Sequence, residues 1–241
     1  MSKVIHLKKG LNIRMKGKPN QKLAEASPTE TYAINPPDFP GVVPKVVSKE
    51  GAEVKTGTVL FYDKNNPEIK FTSPTTGRVK AINRGERRRI LEVVVEATGK
   101  EEFETFKQAD PETLKAEEIK ELLLNSGMWP MLRRRPYNIV AKPNEAPAAI
   151  FISGFNTLPL GPDIDFLLKD QQENFQTGIN ALKKLTEGKI HLNLYDGKQH
   201  TAALTAAEGV EFNYFKGPHP AGEPGIQIHH ISPINKGDIY W

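Results

Sequence analysis

The chain contains no cysteine. That absence excludes disulfide stapling, thiolate zinc sites, Cys-ligated iron–sulfur clusters and a Cys nucleophile, so any electron carrier held here is held without thiolates. The chain also lacks an uninterrupted apolar run approaching the roughly 20 residues that a membrane-spanning helix needs, and its N-terminus has no signal-peptide apolar core. A cytoplasmic location is expected on that ground, with membrane contact made only through partners. Missing too is the G-x-G-x-x-G phosphate fingerprint of dinucleotide-binding sites. What is present is the composition of an ordinary folded protein, 241 residues with 38% hydrophobic and 26% charged side chains. That length allows between one and two domains.

Charge is close to balanced, 33 basic against 29 acidic residues for a net +4, so its placement carries the information. Residues 1–22 hold Lys3, Lys8, Lys9, Arg14, Lys16, Lys18 and Lys22 with no acid among them. Two further basic runs are Arg84 with Arg87, Arg88 and Arg89, and Arg133, Arg134 and Arg135. Each run reads either as a solvated face or as a surface for an anionic partner or headgroup.

The pattern divides the chain into a basic N-terminal arm over 1–40, a β-rich domain over 41–99, a helical and Pro-rich connector over 100–146, and an α/β domain over 147–241. Residues 41–99 alternate short β-branched runs with glycine, which suits pleated strands joined by tight turns. Pro40 is followed eleven residues later by Gly51, and Pro74 eleven residues later by Gly85. The repeat points to one sandwich of two similar halves. In the connector, residues 110–127 carry acids early, Ile119, Leu122 and Leu123 on one helical face, and Gly127 at the stop position. The prolines that follow predict an extended stretch.

From residue 147 on, strands AAIFIS, KIHLNLY and VEFNYF alternate with a helix over 171–185 and a shorter helical segment over 199–208. That order argues for a parallel, Rossmann-like sheet. The ending DIYW, just after a fresh strand-like start at Gly237, reads as a chain cut before a further C-terminal domain, or else as a short last strand. Residues 216–233, KGPHPAGEPGIQIHHISP, display His219, His229 and His230 on an irregular loop. They read either as metal ligands or as a shaped loop running into a strand at Ile226, Ile228 and Ile231 that packs one histidine inward.

Two resemblances sharpen these readings. VSKEGAEVKTGTVLF followed by SPTTGRV is similar to the barrel-sandwich hybrid of biotinyl and lipoyl domains, in which a hairpin lysine carries the prosthetic arm; Lys64 and Lys70 are the candidates, with an unmodified surface lysine as the alternative. LKKGLNIRMKGKP, FTSPTTGRVKAINRGERRRILEVVVE, SGMWPMLRRRP and KGPHPAGEPGIQIHHISP, in that order, resemble the A subunits of the Na+-translocating NADH:quinone reductases. That family is related to the Rnf C subunit and to the NADH-binding flavoprotein subunit of complex I.

The resemblance implies a peripheral subunit on the cytoplasmic face of the inner membrane, partnered by the other subunits of the reductase. It implies that flavins and an iron–sulfur cluster reside in those partners, and that quinone is a ligand to test for. Where relatives present a glycine-rich flavin loop, this chain has Ser126-Gly127-Met128-Trp129-Pro130, so neither flavin nor nicotinamide is expected here. No catalytic residue, resident cofactor, metal or nucleic-acid partner is expected. Ligand or partner contacts are expected at Trp129, Arg133, Arg134, Arg135 and Phe155, with Met128, Met131 and Tyr137 nearby, and at Gly217, His219, Pro220, Gly222 and Gly225. Docking of loop 217–225 follows from its place after a strand of an open α/β sheet. A lipoyl- or biotin-type carrier and a divergent flavin- or NAD-binding oxidoreductase are the alternatives.

Overall fold

The computed structural model describes residues 4–17 and 19–241, so Lys3 and Lys18 of the basic arm lie outside the described residues. The chain forms two compact units. One comprises Glu25–Ala109 and Lys115–Glu145; the other comprises the N-terminal stretch up to Ala24, Asp110–Leu114 and Ala146–Trp241. The residues of 1–40 are therefore shared between the units. Strand β1 (Val4–His6) belongs to the second, where it pairs in parallel with residues more than 200 positions later, Ile5 opposite Phe215.

The first unit is a sandwich of two antiparallel sheets. Its strands are β2 (Thr31–Ile34), β3 (Pro44–Val46), β4 (Glu53–Val54), β5 (Val59–Asp63), β6 (Asn66–Thr72), β7 (Gly77–Arg84) and β8 (Ile90–Ala97). They form the sheets β2-β8-β7-β4 and β3-β5-β6. Alternation decides what enters the core: on β7, Gly77 and Val79 are buried while Arg78 and Lys80 point to water. Phe61 and Phe71 stack with centroids 4.5 Å apart, and Phe39 meets Phe71 edge-on at 4.7 Å. Gly77 must be glycine, because a Cβ there would run into the Glu96 carbonyl of the paired strand.

Helix α1 (Ala116–Asn125) follows the sandwich, with Glu117 and Glu118 in its first turn and Ile119 and Leu124 buried. The Glu118 carboxylate accepts from the Lys115 amide at 3.1 Å, which satisfies one of the donors a helix start leaves free. Gly127 ends the helix at φ +75, and the Met128 amide reaches back to the Leu123 carbonyl at 3.0 Å. That is a glycine-terminated Schellman stop. The arginine run is not an extended connector: β9 (Arg133–Arg134) pairs antiparallel with β10 (Ile139–Val140), closing a hairpin across residues 135–138. Asn138 takes a positive φ of 54 at the turn, a conformation that asparagine tolerates better than most side chains, and so lets a Pro-containing stretch reverse.

The second unit is built on an all-parallel sheet of order β1-β13-β12-β11, from β11 (Ala149–Ser153), β12 (Lys189–Tyr195) and β13 (Glu211–Lys216). Between them lie α2 (Ile164–Leu167), α3 (Gln172–Lys183) and α4 (Ala202–Thr205), and α5 (Pro224–Ile231) follows β13. β12 is buried from Ile190 to Leu194 on both faces, as a central parallel strand must be. The C-terminal residues add a bridge at the β11 edge, where Tyr240 lies beside Ala149 and Trp241 N–H donates to the Ala149 carbonyl at 3.2 Å. Phe151, Ile228 and Tyr240 pack there into one apolar cluster, and Phe155, Phe215 and Ala221 form another at the carboxyl ends of the strands.

A second expectation fails in the loop after β13. Residues 224–231 are helix α5, not a strand. Pro224 fits the first helical turn, and the spacing of Ile228 and Ile231 serves a helical face as well as the alternation serves a strand. Gln227 and Ile228 turn inward, while His229 and His230 lie exposed in the last turn.

Candidate functional site

All four strands of the parallel sheet run the same way, so their carboxyl ends meet at one edge. There the chain passes from β11 into Gly154 and Phe155, from β12 into Asp196, and from β13 into Gly217. A cavity of about 570 Å³ opens beyond these ends. Phe155, Leu158, Leu160, Ile164, Phe166 and Tyr195 give it an apolar and aromatic wall, and Asn12, Gln21, Asn156 and Lys198 give it polar points. A volume of that size with a mostly apolar lining and few polar groups suits a small amphipathic ring compound.

The loop after β13 forms a shoulder of this site through specific contacts. Gly222 N–H donates to Thr157 Oγ1 at 3.0 Å, and the same hydroxyl lies 3.0 Å from His219 Nδ1. A side chain at Gly222 would sit 2.8 Å from the Thr157 nitrogen, so only glycine allows this approach. Behind the loop is a buried amide network. Asn193 donates to Gln227 Oε1 at 2.8 Å, and Gln227 Nε2 donates to Ser153 Oγ at 2.9 Å and to the Ala221 carbonyl at 3.1 Å. Asn193 and Gln227 have no exposed surface, so breaking either would strand polar groups at a cost of about 1–3 kcal/mol each.

The charged corner of the cavity joins two segments 35 residues apart. Lys198 Nζ sits 2.6 Å from Asp163 and 2.9 Å from Asp165. Asp165 also accepts from the Thr201 amide at 2.8 Å and lies 3.0 Å from His200 Nδ1, whose Nε2 is 2.9 Å from the Tyr195 carbonyl. The hydrogen bond from Lys198 holds the Asp163 carboxyl below its ordinary range. Burial pushes the Asp165 carboxyl upward, but the Lys198, Thr201 and His200 contacts together outweigh it and leave the group lowered. Burial likewise disfavours charged Lys198, and its two carboxylates outweigh that and raise it. The result is a fixed ammonium between two carboxylates at the rim of an apolar cavity.

The residues expected to act are distributed as follows. Phe155 and Gly217 line the cavity; His219, Pro220 and Gly222 belong to its shoulder; Gly225 lies within α5. Trp129, Arg133, Arg134 and Arg135 belong to the other unit. Trp129 is fully buried there, its indole N–H donating to the Ala141 carbonyl at 2.8 Å, which makes it a core residue of the hairpin region. Arg134 pairs with Glu145 at 2.6 Å, and Arg133 lies over the Phe39 ring at 5.1 Å, with burial lowering its pKa. Met128, Met131 and Tyr137 are exposed.

Lys64 is exposed at the β5–β6 hairpin tip, which buried Asp63 organises by accepting from Val43, Asn65 and Asn66. Lys70 is engaged by Asn125 at 2.6 Å. Among the described residues no group of three His, Cys, Asp or Glu side chains is arranged to hold a metal ion, and no helix is long and apolar enough to cross a membrane. Tyr195, Lys198 and His200 carry no signal of a site in the sequence, because D-x-D and K-x-H pairs this far apart have no recognisable spacing until the strands align them.

Two family descriptions match the chain. Residues 5–98 match the NqrA N-terminal barrel-sandwich hybrid domain, and residues 114–241 match the NqrA second alpha/beta domain. Among similar proteins, the A subunit of the Na(+)-translocating NADH-quinone reductase of Photorhabdus laumondii is 38% identical over 240 residues, covering 99% of this chain and 53% of its own. The proteins of that name from Neisseria gonorrhoeae and Pseudomonas aeruginosa are each 37% identical, with the same coverage. The chain thus spans about half the length of the relatives it matches. The matched ranges do not coincide with the two compact units, since residues 115–145 cluster with the sandwich and the N-terminal stretch with the parallel sheet, but the two domains are matched in order along the chain, and the chain belongs to the NqrA family.

Proposed function

We propose that this chain serves as part of the A subunit in a sodium-translocating NADH:quinone reductase, a peripheral scaffold on the cytoplasmic face of the membrane that carries no redox centre of its own. The observation that supports this most is the match to A-subunit proteins along 99% of the chain. In this reading flavins and an iron–sulfur cluster belong to partner subunits, and those partners carry NADH oxidation and sodium movement. The loop after β11 has no glycine-rich row of amides for a phosphate. Leu158 N–H is taken by the Asn156 side chain at 2.8 Å, and the positions on either side carry full side chains. A bound flavin or nicotinamide finds no phosphate cradle there.

The cavity beyond the sheet adds a second element to the proposal, a place for a quinone headgroup. Phe155 and Tyr195 offer aromatic faces to a planar ring, and Asn12, Asn156 and Gln21 offer amide donors to ring carbonyls. The assay is calorimetric titration of the chain with a short-chain ubiquinone. Binding in the micromolar range that Phe155→Ala weakens at least tenfold is expected. Absence of binding, or binding indifferent to that change, would remove quinone from the proposal and leave the scaffold role standing.

A further inference from the structure

The basic arm does something that neither the cavity nor the sheet requires. Its base is pinned to the carboxyl edge of the parallel sheet: Leu7 N–H donates to the Lys216 carbonyl at 2.8 Å, Leu11 N–H to the His219 carbonyl at 3.0 Å, and His219 N–H to Asn12 Oδ1 at 2.9 Å. Gly10, at φ +150, lies so close to the His219 carbonyl that a Cβ would collide with it. The backbone from residue 7 to residue 12 is therefore fixed, and its side chains project from a defined place. Leu11, Ile13 and Met15 are 75%, 63% and 49% exposed. They alternate with Asn12, Arg14 and Lys16, and Lys8, Lys9, Arg14 and Lys16 are all exposed as well. The first acidic residue of the chain is Glu25, so nothing within the arm offsets this charge.

We propose that residues 8–16 form an insertion arm for an anionic lipid surface. Three apolar side chains protruding singly from an extended segment give no shaped floor for a rigid protein partner. They do match a fluid interface, where apolar groups enter the acyl boundary and cationic heads stay at the phosphate level. Non-helical backbone is tolerated at that depth, because water still reaches the peptide groups in the headgroup region. The absence of any acid through residue 24 is the complement of an anionic leaflet. Four basic side chains near such a surface contribute about fivefold in partitioning each. Where membrane contact was expected only through partners, the arm adds a direct one, and it does not depend on quinone binding.

The test is flotation of the whole chain with vesicles of phosphatidylcholine containing about one third phosphatidylglycerol, the anionic fraction being chosen to give a negative surface potential. Pure phosphatidylcholine vesicles serve as the control. Binding to the anionic vesicles, reversed by salt, is expected. The quadruple variant Lys8→Gln, Lys9→Gln, Arg14→Gln, Lys16→Gln should lose about a hundredfold or more. The triple variant Leu11→Ser, Ile13→Ser, Met15→Ser should lose about tenfold or more with its charges intact. Neutralising another exposed basic run, with Arg87→Gln, Arg88→Gln and Arg89→Gln, should cost no more than about threefold, because binding rests on the arm and not on the net charge of the chain. All the altered side chains are exposed, so each variant should melt at the parent temperature. Equal affinity for the two vesicle types, or arm variants that bind as the parent does, would overturn the proposal. So would failure to bind any vesicle by a chain that still attaches to partner subunits, since the arm would then be a protein contact.

Discussion

Replacing Lys198 by Met tests whether the charged corner of the cavity is a structural unit. The substitution keeps most of the side-chain volume and removes the ammonium that sits between Asp163 and Asp165. Asp165 is only 8% exposed and would keep the Thr201 amide and the His200 contact, while Asp163 would keep Gln21. Removing one partner of a fully buried pair costs roughly 3–5 kcal/mol, and an exposed pair contributes roughly 0–1 kcal/mol. Lys198 itself is 39% exposed at its side chain, so solvent screens part of the loss and about 2 kcal/mol is expected. For a chain of this length that lowers Tm by about 4–8 °C.

The pH dependence carries the sharper signature. The folded-state carboxyl values of Asp163 and Asp165 are depressed, so in the parent their contribution is present above the unfolded value, about 3.9, and fades as pH falls through the folded value. Lys198 is raised, so its contribution holds below its unfolded value and fades only at strongly alkaline pH. The gap between parent and Lys198→Met should therefore be full at neutral pH and close in strong acid. Thermal melts by circular dichroism from neutral to acid pH read this directly. An unchanged Tm at pH 7, or a gap that does not narrow at all as the pH falls from about 3.9 into strong acid, would contradict this.

Three other substitutions probe separate parts of the account. Gly127→Ala forces a side chain into the left-handed region at φ +75 and places its Cβ 2.5 Å from Thr72 Oγ1; a loss of at least about 1–2 kcal/mol in urea melts is expected, and a neutral result would contradict the helix stop. His191 is held below its ordinary pKa by burial, stacked at 4.5 Å on Phe151, and so contributes stability that fades as pH falls below about 6.5. His191→Phe should flatten the stability slope between neutral pH and mild acid, and an unaltered slope would assign the acid sensitivity elsewhere. Lys64→Ala should leave the melt and quinone binding of the chain unchanged, and intact mass of the native chain should show no lipoyl or biotin increment; such an increment, abolished by the substitution, would make the sandwich a carrier domain.

Much of the architecture was legible because it is written in local periodicity. The strands at 149–153, 189–195 and 211–216 announce themselves by apolar runs, and α1 and α3 by a helical stripe ending at Gly127 or at Lys183. What was not legible depends on distant parts of the chain. Nothing in Val4, Ile5 and His6 says that they will pair with Tyr214, Phe215 and Lys216, since an edge strand of three residues has no pattern of its own. The stretch Ile226–Ile231 fits both periods; Pro224 at the helix start favours the helix, and the helix brings Gln227 to Asn193 and Ser153 in the buried network. An aromatic beside arginines marks Trp129 as a candidate contact, while its full burial and its hydrogen bond to the Ala141 carbonyl are set by the fold and leave no local signal. The cavity's charged corner escaped notice for a related reason, as Asp163, Asp165, Lys198 and His200 acquire meaning only when β12 delivers its end beside the loop after β11.

The most direct measurement is copurification: the chain, tagged in a cell that expresses the membrane subunits of a sodium-translocating NADH:quinone reductase, is extracted in mild detergent and its associated proteins are identified. Recovery of those subunits in stoichiometric amounts, with flavin and iron–sulfur absorbance residing in them and the separated chain colourless, is expected. A chain that comes away alone, or that carries a stoichiometric flavin of its own, would contradict the assignment.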